Sequence, residues 1–215
     1  MTESATGLIL RVRPLTETSL IIHWLTPDLG RIATVAKGAR RPKSPFLGKL
    51  DLFYLADFSF SRSRRSELHA LREVKLCETH GAIRQDIFKL RHAAYATAFI
   101  EQATETETPL PAVYELLRGF LDCLCRQPTA LQIVFALELK LLHELGLEPN
   151  LTEARLAPGT KKIASVLAQD DWAAAVRLKL TDTQAVELRQ FLQGFLISHL
   201  GRLPKGREAA LADNI

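Results

Sequence analysis

Three cysteines, one methionine and two tryptophans in 215 residues leave little room for thiol chemistry. Cys77, Cys123 and Cys125 form no Cys-x-x-Cys pair. An odd count of this kind argues against a disulfide framework and against a cysteine-based zinc site. The six histidines (23, 69, 80, 92, 143 and 199) form no His-x-x-x-His or His-Glu-x-x-His pair, so no metal site is expected. No Gly-x-x-x-x-Gly-Lys-Ser/Thr loop is present to cradle nucleotide phosphates. No apolar run approaches the roughly 18 residues that span a bilayer, and the polar start TESAT lacks the apolar core of a secretory signal. The expectation is a cytoplasmic protein with reduced cysteines and no cofactor.

One further absence is local. Gly30–Lys49 contains no Asp or Glu, yet it carries six cations: Arg31, Lys37, Arg40, Arg41, Lys43 and Lys49. Gly38, Pro42, Pro45 and Gly48 exclude a regular helix or strand over its second part. This predicts a mobile basic loop at the end of a strand, suited to holding a polyanion. The plain alternative is a solvated loop that is basic by chance. The net charge of +4 is uneven. Residues 1–80 carry 13 Lys/Arg against 8 Asp/Glu, and residues 81–215 carry 15 against 16, so a polyanion contact is expected N-terminally.

Period-two patterns predict strands at residues 8–13, 18–26, 32–37, 50–60 and 68–76, with a hairpin turn at Pro27-Asp28-Leu29-Gly30. A second basic turn, Ser61–Ser66, follows the fourth strand. Five short strands without a β-α-β crossover indicate a small antiparallel barrel, but the pattern alone does not separate an OB-fold from an SH3-like barrel. From about Arg84 the period becomes helical. Pro111 starts one helix, Thr129 with Gln132 reads as a capping box before an apolar helix over 130–145, and Thr181 with Gln184 caps a last long helix. The fold class is therefore α+β: a five-stranded OB-like barrel over 1–80, followed by an all-helical domain over 81–215. The tail after His199 is expected to pack only partly.

Several stretches together resemble the bacterial DNA repair protein family RecO. They are LRVR at 10–13, ETSLII at 17–22, TPDLGR at 26–31, AKGARRPKS at 36–44, LRE at 71–73, ELKLLHELGLEPNL at 138–151 and HLGRL at 199–203. The resemblance covers most of the chain, and its most specific part is A-K-G-x-R-x-x-x-S. It implies an N-terminal OB-fold and a helical domain. It also implies binding of single- and double-stranded DNA, annealing of complementary strands, and cooperation with RecR to load RecA onto DNA coated by single-strand-binding protein. Binding of that coating protein's acidic C-terminal tail is implied as well. Many members carry a Cys-rich zinc insertion where this chain has Thr152–Thr160 without cysteine, so no zinc is expected.

On this reading Lys37, Arg40, Arg41, Lys43 and Lys49 are the first candidates for phosphate contacts, and Arg11, Arg13, Arg31, Arg62, Arg64 and Arg65 the second. Trp24, Phe46, Phe53 and Tyr54 could stack on bases. Trp24 and Tyr54 are expected in the barrel core, and Phe46 is the better stacking candidate. Arg202, Lys205 and Arg207 are candidates for the basic rim of a partner groove. Pro27-Asp28 with Glu73-Val74-Lys75 imitates a nuclease signature, but the gap is long and Asp28 lies in a turn, so no enzyme is expected. The rival class is a protein-interaction scaffold that does not bind DNA.

Overall fold

In the computed structural model, which describes residues 2–169 and 171–212, five strands form the N-terminal sheet. They are β1 (Thr2–Pro14), β2 (Leu20–Thr26), β3 (Gly30–Ala36), β4 (Leu55–Ser61) and β5 (Leu68–Glu78). The sheet closes in the order β1-β2-β3-β5-β4, because β1 pairs with both β2 and β4. This is the OB-like arrangement. One pair departs from the antiparallel expectation: β3 and β5 run parallel, with Ala33, Thr34 and Val35 opposite Leu68, His69 and Ala70.

Alternation fills the interior. Ile9, Ile22, Trp24, Ile32, Ala36, Ala56, Phe58, Phe60, Leu71 and Val74 form one buried cluster. Trp24 is in this core, as expected; its ring stacks on Phe58 at 4.0 Å and its indole N–H donates to Thr34 Oγ1 at 2.8 Å. Tyr54 packs partly buried against the same cluster.

The predicted fourth strand is shortened. Residues 50–54 form a turn rather than a strand, because Phe53 takes a left-handed φ of 67°. The backbone N–H of Phe53 donates to the Ile9 carbonyl, and the Ile9 N–H donates to the Tyr54 carbonyl, both at 2.9 Å. The first strand is longer than predicted, since the polar residues 2–7 pair with β4.

The chain divides into two compact units: Met1–His80 with Thr104–Arg118, and Gly81–Ala103 with Gly119–Ile215. The acidic stretch 104–108 belongs to the barrel unit. It makes a parallel bridge to Arg31 at Thr106, and the Glu107 N–H donates to the Arg31 carbonyl at 2.9 Å. Gly30 is required here twice over: its φ is +65°, and a Cβ would lie 2.0 Å from the Thr108 carbonyl oxygen.

The helices are α1 (Ile87–Ala103), α2 (Pro111–Arg126), α3 (Leu131–Glu144), α4 (Pro158–Gln169), α5 (Trp172–Arg177), α6 (Asp182–Leu200) and α7 (Arg207–Ala210). The Thr181–Gln184 capping box at α6 is formed. The one expected at Thr129–Gln132 is not. Ala130 is the N-cap, without a side-chain cap bond, and the Gln132 amide instead donates to the carbonyls of Val176 and Leu178. The stretch 152–160 is held by Glu187, which accepts from the Ala157 N–H at 2.7 Å and from the Thr160 hydroxyl.

The tail after His199 packs in part, as expected, with Pro204, Arg207, Ala210 and Leu211 buried and Arg202, Lys205, Glu208 and Ala209 exposed. The place of Arg207 on a basic rim, however, is overturned. Arg207 is 1% exposed. It donates from Nε and Nη2 to the two carboxylate oxygens of the fully buried Glu138, at 2.7 and 3.0 Å. The Tyr95 hydroxyl donates to the same carboxylate. Burial, and then the nearby Glu138 charge, push the Tyr95 pKa well above its ordinary value, so the phenol remains a donor. The His92 Nε2–H donates to the Ala210 carbonyl at 2.9 Å, fixing α7 further.

Removing one partner leaves the other charge buried and unpaired. Glu138→Ala or Arg207→Ala is therefore expected to lower the unfolding free energy by about 3–5 kcal/mol. The double change Glu138→Leu, Arg207→Met should cost less than either. Urea denaturation measures all three, and a double variant less stable than both single ones would contradict this account. Gly30→Ala should destabilise the barrel unit and raise amide exchange at 104–108.

Candidate nucleic-acid interface

The basic loop between β3 and β4 is built from successive turns rather than hanging free. Backbone N–H groups of Arg41, Ser44, Leu47 and Lys49 donate to the carbonyls of Gly38, Arg41, Ser44 and Phe46, at 3.0–3.2 Å. Two apolar side chains anchor it inward, Ala39 and Phe46, each 7% exposed. Phe46 is therefore a core residue and not the stacking residue expected from sequence, since turning it outward would empty its place in the barrel cluster.

With Ala39 and Phe46 turned inward, the loop exposes Lys37, Arg40, Arg41 and Lys43, together with Leu47. It is also tied to the β1–β2 connection. The Arg40 N–H donates to the Thr18 carbonyl at 3.0 Å, and the Gly38 N–H to the Ser19 hydroxyl at 3.4 Å. A shallow groove of about 380 Å³ lies between them, with Lys37 and Arg41 on one side and Leu15, Thr16 and Val35 among the other lining residues.

That groove adjoins the outer face of β1–β2–β3. Register places Arg11 beside His23 and His23 beside Ala33; the next outward row is Arg13, Ile21 and Val35. The strip is apolar along its middle and cationic along β1. Arg13 is exposed, and Arg11, Ile21, His23, Ala33 and Val35 are half-buried.

Other candidates fall elsewhere. Lys49 lines a separate groove of about 660 Å³ that also contains Asp28, Asp57 and Glu73. Because β3 and β5 are parallel, the turn leading into β5 lies at the start of β3, opposite the end where Lys37 emerges. The register sets Leu68, the first residue of β5, opposite Ala33, about 13 Å from Lys37 along β3 at about 3.3 Å per residue. In the second turn Arg64 and Arg65 are exposed.

Arg62 is engaged within the barrel unit. It donates to both Glu3 carboxylate oxygens at 3.0 and 3.2 Å and to Glu107 at 3.2 Å. Its guanidinium holds the Glu3 carboxyl below the ordinary range. Glu107 also faces His69 Nε2 at 3.1 Å. The His69 Nδ1 accepts from the Ser63 N–H, so its Nε2 carries the proton and donates to Glu107. Arg31 donates from Nε to the Thr104 hydroxyl at 2.8 Å and from Nη2 to the Thr104 carbonyl. Arg31 and Arg62 are thus bound to the 104–108 stretch, whose part in the site sequence reading missed. It also missed His23, although the inward Ile22 and Trp24 on either side mark it as outward.

Comparison with known proteins adds the family context. The family model described as recombination protein O, N terminal, matches residues 1–80, and the corresponding C-terminal model matches residues 84–154. A protein of Exiguobacterium sibiricum named DNA repair protein RecO is 32% identical over 151 residues, which are 70% of this chain and 60% of that protein. One of Bacillus pumilus with the same name is 31% identical, over 68% of this chain and 57% of its own length. The chain thus spans about three fifths of the length of these relatives. One of Anaeromyxobacter, also named DNA repair protein RecO, is 28% identical over 92% of this chain and 91% of its own length.

Two measurements check the site geometry. Phe46→Ala should lower the unfolding free energy by about 3–5 kcal/mol, whereas an exposed residue would leave it unchanged. Burial, and then the charges of Arg11 and Arg31, lower the His23 pKa from 6.5. As pH falls below 6.5, the unfolded chain protonates this histidine first. The His23 contribution to stability should therefore be present above 6.5 and be lost as pH falls through the folded value. NMR titration of the ring should give a midpoint below that of a free imidazole, and His23→Gln should flatten this part of the stability profile.

Proposed function

The chain belongs to the RecO family, and on that premise we propose that it is a non-enzymatic DNA-binding mediator of repair and recombination. The observation that carries this reading is the display of Lys37, Arg40, Arg41 and Lys43 on a loop tied beside the outer face of β1–β2–β3. In OB-folds that face and the loops after strands one and four hold oligonucleotides; here the basic loop follows β3 and is tied to the β1–β2 connection. The exposed cations displace counterions from a single strand, and each phosphate contact contributes about −0.7 to the slope of log K against log salt. Four contacts give a slope of about −2.8.

Neutralising the backbone also reduces repulsion between two strands, which lets complementary strands meet and anneal. The partners in this reading are RecR, the acidic tail of single-strand-binding protein and, through them, RecA. Arg202 and Lys205 remain exposed in the helical unit as rim candidates for that tail.

The test is fluorescence anisotropy with a labelled single-stranded oligonucleotide at several salt concentrations, without metal. The triple change Arg40→Ala, Arg41→Ala, Lys43→Ala, confirmed to be folded, should lose affinity and about two units of salt slope. Coincident curves would remove the loop from the interface. No binding by the wild type would favour the scaffold reading.

A further inference from the structure

OB-folds that bind single strands combine a basic track with rings on which bases stack. In this barrel most rings are engaged inward: Trp24, Phe46, Phe53, Phe58 and Phe60 are all buried. The three strands β1, β2 and β3 contain only two rings, Trp24 and His23. Trp24 points into the core against Phe58, and alternation turns His23 out. It stands in the middle of the outer strip, with Arg11 across on β1, Ala33 across on β3, and the row of Arg13, Ile21 and Val35 alongside.

Resting on the DNA-binding reading above, we propose that His23 is the residue of this barrel on which a nucleobase of single-stranded DNA stacks, with the Arg11 row contacting the adjacent phosphates. Its neighbour across on β3, Ala33, is small, and Arg11 supplies the charge that a neighbouring phosphate needs. Histidine rings serve as stacking platforms for unpaired bases. The ring's lowered pKa fits this role: at neutral pH it is an uncharged π face beside two arginines, not a third cation for phosphate. His23 therefore contributes to affinity without contributing to the salt slope. This separates it from Lys37, Arg40, Arg41 and Lys43.

The experiment compares two labelled oligomers of equal length, oligo(dT) and a strand of abasic sites, by anisotropy over a salt series. Wild type, His23→Ala, His23→Phe and Arg40→Ala are each first checked for a cooperative thermal transition. His23→Ala should weaken oligo(dT) binding by about five- to tenfold with an unchanged salt slope. It should leave abasic binding unaltered, and His23→Phe should restore or tighten oligo(dT) binding. Arg40→Ala should weaken both oligomers alike and reduce the slope. If His23→Ala matches the wild type on oligo(dT), or loses equally on the abasic strand, the stacking assignment is overturned while DNA binding stands. If the wild type binds neither oligomer, the DNA-binding reading itself falls, and this inference with it.

Discussion

The parallel pairing of β3 with β5 closes the sheet, and the placing of every candidate side chain in the barrel unit follows from it. A parallel pair cannot be joined by a tight turn, so the chain must cross from the end of β3 back to its start before β5 begins. Residues 37–67 make that return by way of the basic loop and β4. The basic loop is thereby forced to one end of β3 and the Ser61–Ser66 turn to the other. The same closure leaves β2 and β3 with one face full of core side chains and one face turned out. A ligand lying along that outer face would meet cations at both ends and apolar groups between them.

The cations are not equivalent, and electrostatics explains which of them can act on a polyanion. Lys37, Arg40, Arg41 and Lys43 project from a loop with no acid in it, so a phosphate there replaces only mobile ions. Arg62 already has two carboxylates, Glu3 and Glu107, as its counterions. Its side chain is 38% exposed, so each of those pairs contributes only about 0–1 kcal/mol. A phosphate reaching Arg62 would exchange one anion for another and release little counterion. The acidic stretch 104–108 thus takes Arg31 and Arg62, but not the exposed Arg64 and Arg65, out of the electrostatic footprint.

Much of this was legible in the chain and some was not, for identifiable reasons. Period-two patterns located the strands because one face of each is buried, and the Pro27–Gly30 turn signal was correct because Gly30 needs its positive φ. Residues 50–54 read as strand because Leu50, Leu52 and Tyr54 alternate; Phe53, in a left-handed turn, carries no local mark of it. Phe46 looked exposed because prolines and glycines surround it, yet loops built from turns need an apolar anchor as much as strands do. Arg62 and Arg31 looked like surface cations because their partners, Glu107 and Thr104, lie 45 and 73 residues further along the chain. Charge patterning over short windows cannot register pairings at that separation.

Arg207 shows the same limit in the helical unit. A basic residue in a tail rich in glycine and charge reads as solvent-exposed, yet it is the partner of the one buried acid of α3. A buried ion pair adds little net stability, because desolvation offsets most of its attraction. What it adds here is registration. Glu138 accepts from Tyr95 on α1 and from Arg207 on α7, and Arg207 Nη2 donates in turn to the Arg189 carbonyl on α6. An apolar plug at that place could slide along the face of α3 and still bury its surface. A carboxylate with several directed donors cannot, so the end of the described chain has one position rather than several. The basic residues left exposed beside it, Arg202 and Lys205, are accordingly displayed from a fixed turn, with Gly201 closing α6 in a left-handed conformation.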